Sequence, residues 1–214
     1  MAASRHYVVG VDLGQSQDHS VVAVVEIVGR RPHEEHHLVH YQQMPLGGHY
    51  SELADHLVLL RRKLGGELIS TERGAYREAK VDFVVDATGL GQVVLEMLEA
   101  QGLAPVGITI TGGERFHRNG RHFSVPKKDI ADTIQVDLEQ RRLRIVPGLP
   151  HAGVLLDEAR SFVRTVTRTT GHETFEATRG KHDDMILALG LALWYANRVV
   201  GWAQGARNVR AHWG

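Results

Sequence analysis

Tyr7-Val8-Val9-Gly10-Val11-Asp12-Leu13 is an apolar run carrying a single carboxylate near its end. Its composition, and the polar turn Gly14-Gln15-Ser16-Gln17-Asp18 that follows, predict a buried strand. A carboxylate at the mouth of such a strand meets a desolvation cost unless something pairs with it. Capping the turn is one use for Asp12, and holding a cation is another.

Outward from this strand the pattern continues as β structure. His19 to Val28 and His36 to Met44 are β-branched runs separated by the charged turn Gly29 to Glu35, and three strands with short polar connections predict an antiparallel meander. From about Tyr50 the period changes, and Leu53, Leu57, Leu60 and Leu64 mark an amphipathic helix. Val81 to Asp86 is a fourth strand, and Thr88 is placed to cap a helix from Leu90 to Gln101 that Gly102 ends. Val106 to Ile110 is a fifth strand, and strand, helix, strand in sequence predicts parallel pairing. Thr111 to His122 reads as a Gly-rich basic loop. Pro126 opens a helix reaching Gln140, Leu143 to Val146 is a short edge strand, and His151 to Val166 is helical. Glu173 to Ala177 reads as a brief strand. A nearly all-apolar helix runs from about His182 to Val199, with a loose tail at 201–214. This is the order of an α/β, RNase H-like mixed sheet, three antiparallel strands followed by parallel ones and flanked by helices, in one domain over residues 1–200.

Two further acidic places resemble Asp12 in their setting. Asp86 ends the fourth strand, where capping the next helix is the competing use. Asp82, on the same strand face but at the strand start, is expected to be solvated. Asp183 and Asp184 open the last helix, where each gains about 0.3–1 kcal/mol from the helix dipole. Carboxylates gathered in an apolar setting raise one another's pKa unless a cation neutralises them. One cluster of Asp12, Asp86, Asp183 and Asp184 binding two hard divalent cations, Mg2+ or Mn2+, explains all three places and equips the chain to hydrolyse a phosphodiester without a covalent nucleophile.

Bulk composition fits that chemistry. The chain has no cysteine, which excludes disulfides, zinc-thiolate centres and Cys nucleophiles. Lys plus Arg equals Asp plus Glu at 25 each, so nucleic acid must be gripped by local basic residues rather than by net charge. Arg115, Arg118, Arg121, Lys127 and Lys128, interleaved with Phe116, form such a cluster and are candidates for DNA contact. The N-terminus runs straight into a strand pattern and the apolar stretch Met185 to Ala196 is too short to span a bilayer, so a cytoplasmic location without membrane partners is expected.

The segments VGVDLGQSQDHSVVAVV (9–25), FVVDATGLG (83–91), TGGERFHRNGRHFSVPKKDIADTIQVDLEQRRLRIV (111–146) and FEATRGKHDDMILALGLALW (175–194) give the chain a family resemblance. Over roughly residues 6–198 it resembles the nuclease domain of the large terminase subunit of tailed bacteriophages, most specifically at HDD before the apolar helix and at VPK before the preceding one. The resemblance implies an RNase H-like fold and metal-dependent cleavage of double-stranded viral DNA during packaging, in the host cytoplasm. By position it makes Asp12, Asp86 and Asp184 metal ligands, with Asp183 adjacent or shared, and places Lys127 near the site. Asp18 is a further acid close to the first ligand. It also implies partners: a terminase ATPase domain, a small terminase subunit and a portal. A complete large terminase carries a GxxxxGK[ST] loop ahead of its nuclease, and this chain has none, so it is expected to be an excised nuclease domain or a standalone relative.

Other readings use the same residues. A Holliday-junction resolvase of this fold would employ the same acids on branched DNA, and a non-enzymatic DNA-packaging or DNA-binding protein is the alternative outside catalysis. Val-Gly-Val-Asp-Leu-Gly also resembles the first phosphate motif of the sugar kinase, Hsp70 and actin superfamily, an architecture that needs two such halves. His33-Glu34-Glu35-His36-His37 matches the zinc pattern HExxH, which requires a helix where the sequence predicts a turn.

Overall fold

The computed structural model describes residues 5–14, 18–66, 68–71, 74–89, 91–150, 152–168 and 184–200. The chain opens with the expected meander: β1 (Arg5–Asp12), β2 (Val21–Val28) and β3 (Glu35–Gln43) pair antiparallel in succession. Helix α1 (Tyr50–Lys63) follows, then a small separate hairpin of β4 (Leu68–Thr71) and β5 (Gly74–Arg77), which the sequence pattern does not announce. Strand β6 (Ala79–Asp86) returns to lie parallel beside β1, and α2 (Gly91–Ala100) carries the chain to β7 (Val106–Thr111), parallel to β6.

The segment 111–122 departs from expectation. Instead of a plain loop it contains β8 (His117–Asn119), which pairs antiparallel with β9 (His122–Pro126), itself parallel to β7. The strand β9 is short and ends in proline, which masks it as a loop, yet its alternation buries Phe123 and Val125. Next come α3 (Lys127–Glu139), β10 (Leu143–Ile145) at the opposite edge beside β3, α4 (Ala152–Arg168) and α5 (Asp184–Tyr195), the last continuing as a π-helical turn, Ala196–Val200. The expected strand at 173–177, the residues His182 and Asp183, and the tail at 201–214 lie outside the described residues.

The result is one eight-stranded sheet, ordered β10-β3-β2-β1-β6-β7-β9-β8, in which only β2 and β8 run against the others. Helices cover both faces, which is why β1 and β6 read as nearly continuous apolar runs. Val9, Val11 and Val85 face α1 and α2, while Val8 and Val84 face α3, α4 and α5. By alternation, Gly10, Asp12 and Asp86 share the face of Val8 and Val84. Asp82 shares it too but is not solvated as expected: it is largely buried and bonded to His6 Nε2 at 2.8 Å and Lys80 Nζ at 2.7 Å. Those two partners hold its carboxyl below the usual range against the opposing effect of burial.

The observed sheet is the α/β, RNase H-like arrangement that the element order predicts. Among the described residues no helix is long and apolar enough to cross a membrane.

Candidate active site

The chain leaves β1 toward one edge of the sheet, through β2 and β3, and leaves β6 toward the other, through α2 and β7. Two adjacent parallel strands whose continuations part in this way open a crevice between their carboxyl ends, where ligands of open α/β sheets bind. Asp12 and Asp86 are the residues at those ends. The register pairs Val11 with Val85, so Asp12 and Asp86 are the next residues along neighbouring strands.

Asp12 is 6% exposed and Asp86 is half-buried. Two ionised carboxylates side by side repel, so the pair is costly without a counter-charge. Burial pushes the Asp86 carboxyl above the ordinary carboxylate range, against the lowering effect of hydrogen bonds from the Thr88 side chain, the Thr88 backbone and Asp12. The backbone contact, Thr88 N–H to Asp86 Oδ1, measures 2.8 Å. Thr88 is therefore not spent on the helix it was expected to cap, which begins at Gly91. Its hydroxyl also accepts the Ile110 N–H of β7 at 3.1 Å.

Helix α5 brings the third acidic position to the same end of the sheet. A Cβ on Gly10 would fall 2.0 Å from the Ala188 carbonyl oxygen, so α5 backbone rests directly on β1 there. Further along, Asn197 bonds Asp137, which bonds His36, and His36 pairs with Ile27 beside the amino end of β1. The helix thus runs antiparallel to β1. Asp184 lies four residues before Ala188, about 6 Å of helix, and Asp12 two residues beyond Gly10, about 6.6 Å of strand. The first residue of α5 is therefore level with the Asp12–Asp86 pair.

Among the described residues no three His, Asp or Glu side chains gather as a complete metal cage. Asp12 and Asp86 bring together two; Asp183 is outside the described residues, as is the Asp184 side chain. The pair nonetheless fits a hard cation. It offers oxygen donors alone, Asp12 is buried and Asp86 half-buried, and a divalent ion would neutralise the repulsion between them.

The predicted basic residues lie on the β9 side of the crevice. Lys127 starts α3, with Nζ 5.3 Å from the centre of the Phe162 ring. Lys128 pairs with Asp132 at 2.6 Å on the surface. Arg115 and Arg121 are exposed in the connection that contains β8, and Arg118 donates to the Gly120 carbonyl at 3.0 Å and lies over the Phe123 ring. Asp18 is exposed in the turn after β1. The HExxH segment crosses a turn into β3, so His33 and His37 do not share a helix face. Thr88 is the residue whose task differs most from the one its sequence position suggests. Its place two residues after a strand-end Asp is the available signal, because that spacing suits an Asp side chain bonding backbone.

No protein-family model matches the chain. A large terminase subunit of Thermus virus P23-45 is 23% identical over 186 residues, 87% of this chain. The chain spans 31% of that relative's length. The large terminase nuclease of thermophilic phage G20c superposes with a TM-score of 0.53 at 20% identity, covering 92% of this chain and 89% of that one. This chain has the fold of a terminase nuclease domain. The terminase nuclease domain of human cytomegalovirus, soaked with manganese and inhibitor-bound, agrees at a TM-score of 0.51 and 12% identity, over 92% of this chain and 85% of that one. The resemblance to terminase nuclease domains thus extends from motifs to topology.

Proposed function

We propose that the chain is a metal-dependent endonuclease of double-stranded DNA, the cutting domain of a terminase large subunit in viral genome packaging. The observation that carries this reading is the Asp12–Asp86 pair, side by side at the carboxyl ends of adjacent parallel strands, with Asp12 buried and Asp86 half-buried. Asp12 and Asp86 would hold the ions with Asp184, and with Asp183 beside it. Mg2+ or Mn2+ bound there would lower the pKa of a water and neutralise charge on the scissile phosphodiester. Asp12, on β1 between β6 and the α5 crossing, would share in holding the ions with the acids on either side. The apolar floor supplied by Val84, Ala188 and Ile186 excludes bulk water from the inner side of the pair.

The basic residues supply the grip on DNA. The register runs Asp86–Ile108–Phe123–Arg118 across four strands, so Arg118 is level with Asp86 about 14 Å away, at roughly 4.8 Å per strand. That spacing is comparable with the ~12 Å width of the major groove, so a duplex seated at the acids also passes the hairpin. Arg115, Arg118 and Arg121, with Lys127 and Lys128 at the start of α3, contact its phosphates. An ATPase motor, a small terminase subunit and a portal are the partners this role requires.

Incubation of supercoiled plasmid with the protein and Mn2+ or Mg2+ should give nicked and linear DNA, and EDTA should stop it. Asp12→Asn should abolish cleavage with the melting curve largely unchanged. Intact plasmid under every divalent metal tested would sink the proposal, and a preference for four-way junctions over plasmid would move it to resolvase chemistry.

A further inference from the structure

Thr88 holds Asp86 with its backbone and β7 with its side chain. The Thr88 N–H reaches Asp86 Oδ1 at 2.8 Å, and the hydroxyl of the same residue accepts the Ile110 N–H of β7 at 3.1 Å. A hydroxyl has one proton to give and lone pairs to receive with. Here a lone pair goes to β7, so the side chain ties the turn to that strand while the backbone N–H of the same residue holds Asp86. The β6–β7 pairing continues into this turn, because Ala87 N–H donates to the Ile108 carbonyl at 2.8 Å. Gly91 closes it from the far side, where a Cβ would fall 2.1 Å from the Asp86 carbonyl oxygen. Thr88 is exposed and packs no core, so stability of the fold does not require its shape.

A carboxylate has about four lone-pair positions. The Thr88 N–H takes up one Asp86 oxygen and restrains the rotation of the group, leaving lone pairs of the carboxylate for a cation. We infer that Thr88 is the positioning residue of the site, aiming the Asp86 carboxylate toward Asp12 by linking it to β7. This rests on the reading of Asp12 and Asp86 as cation ligands. Groups that orient metal-bound side chains matter nearly as much as the ligands, commonly 10–100-fold in metal affinity or activity.

Three proteins test it as full chains without DNA: wild type, Thr88→Val, which keeps the shape and loses the hydroxyl, and Thr88→Ser, which keeps the hydroxyl. Calorimetric titration with Mn2+ should give binding weakened about 10–100-fold in Thr88→Val and restored to within a few-fold in Thr88→Ser. The Mn2+ concentration for half-maximal plasmid nicking should shift in step. Equal Mn2+ affinity in wild type and Thr88→Val overturns the inference alone. So does a serine variant as weak as the valine one, because packing would then be the cause. A wild type that binds no Mn2+ overturns the cation reading and the inference with it. If Thr88→Val does not fold, Thr88→Ala carries the same expectation.

Discussion

Asp86 is costly to keep where it is. Its carboxyl titrates above the ordinary value of 3.8, with burial as the main cause, so the folded protein holds that proton more tightly than the unfolded chain does. Between the ordinary value and the raised one, stability falls as pH rises. Above that window the cation-free protein carries a buried negative charge beside Asp12. Asp86→Asn should therefore melt at or above the wild-type temperature at pH 7 without metal. Mn2+ should reverse the order. At a hundredfold excess over its dissociation constant a bound ion adds about 2.7 kcal/mol, roughly 5–10 °C for a chain of this size at about 2–4 °C per kcal/mol. The wild type should show that rise and the variant little of it. A variant stabilised by Mn2+ as much as the wild type would remove Asp86 from the ligand set.

At the level of elements, the site depends on α5 lying flat on β1. Gly10 permits this, and its replacement tests it. A methyl group at Gly10 would overlap the Ala188 carbonyl, which belongs to helix backbone and cannot rotate away. Gly10→Ala should cost at least the ~1–3 kcal/mol typical of core overpacking, read as a lowered melting temperature, and cleavage should fall because the start of α5 moves off the acids. The β8–β9 hairpin has its own test. Replacing Arg115, Arg118 and Arg121 by alanine should flatten the dependence of log affinity on log salt by about 0.9 for each phosphate that the variant no longer neutralises. An unchanged slope would place the duplex elsewhere. These same elements show what the sequence makes legible. The strands β1 and β6 and the helix α5 are apolar on all sides because layers cover them, and their acids stand out against that background. The hairpin β4–β5 has no alternating apolar face to reveal it, and β9 is hidden by its length and its proline. The pairing of Asp12 with Asp86 is open to inference from two strand ends. The use of Thr88 is not, because its partner Ile110 is on a strand 22 residues away.

Across the whole molecule, α3 and α5 each begin at the crevice and end together at the opposite pole, and a buried polar cluster fastens them there. His36, before Leu38 on β3, donates or shares a proton with Asp137 Oδ2 at 2.6 Å through Nδ1 and lies 3.4 Å from Glu34 Oε1 through Nε2. Asp137 at the end of α3 also takes Arg142 Nε at 3.0 Å and Asn197 Nδ2 at 3.2 Å, and Arg31 donates to the Asn197 carbonyl at 2.8 Å. None of this is visible in the sequence, since His36 and Asp137 are 101 positions apart and HExxH draws attention to the wrong histidines. Burial lowers the His36 pKa, but Asp137 and Glu34 outweigh it and leave it raised above 6.5. Burial likewise raises Asp137, but His36 and Arg142 outweigh it and leave it below 3.8. The His36 contribution is therefore complete below about pH 6.5 and is lost as pH rises through its raised value, whereas the Asp137 contribution is complete above about pH 3.8 and is lost as pH falls through its lowered value. Wild-type stability relative to His36→Gln should be greatest in mildly acidic solution and shrink on the alkaline side. Asp137→Asn, which leaves Arg142 and His36 without their shared anion, should cost about 3–5 kcal/mol near neutrality. Denaturant melts of the three proteins from pH 5 to pH 9 measure both effects. A wild-type advantage over His36→Gln that stays flat across that range would show that His36 binds its proton equally in the folded and unfolded chain, and one that shrinks on the acid side would show that it is neutral when folded; either would remove the His36–Asp137 ion pair.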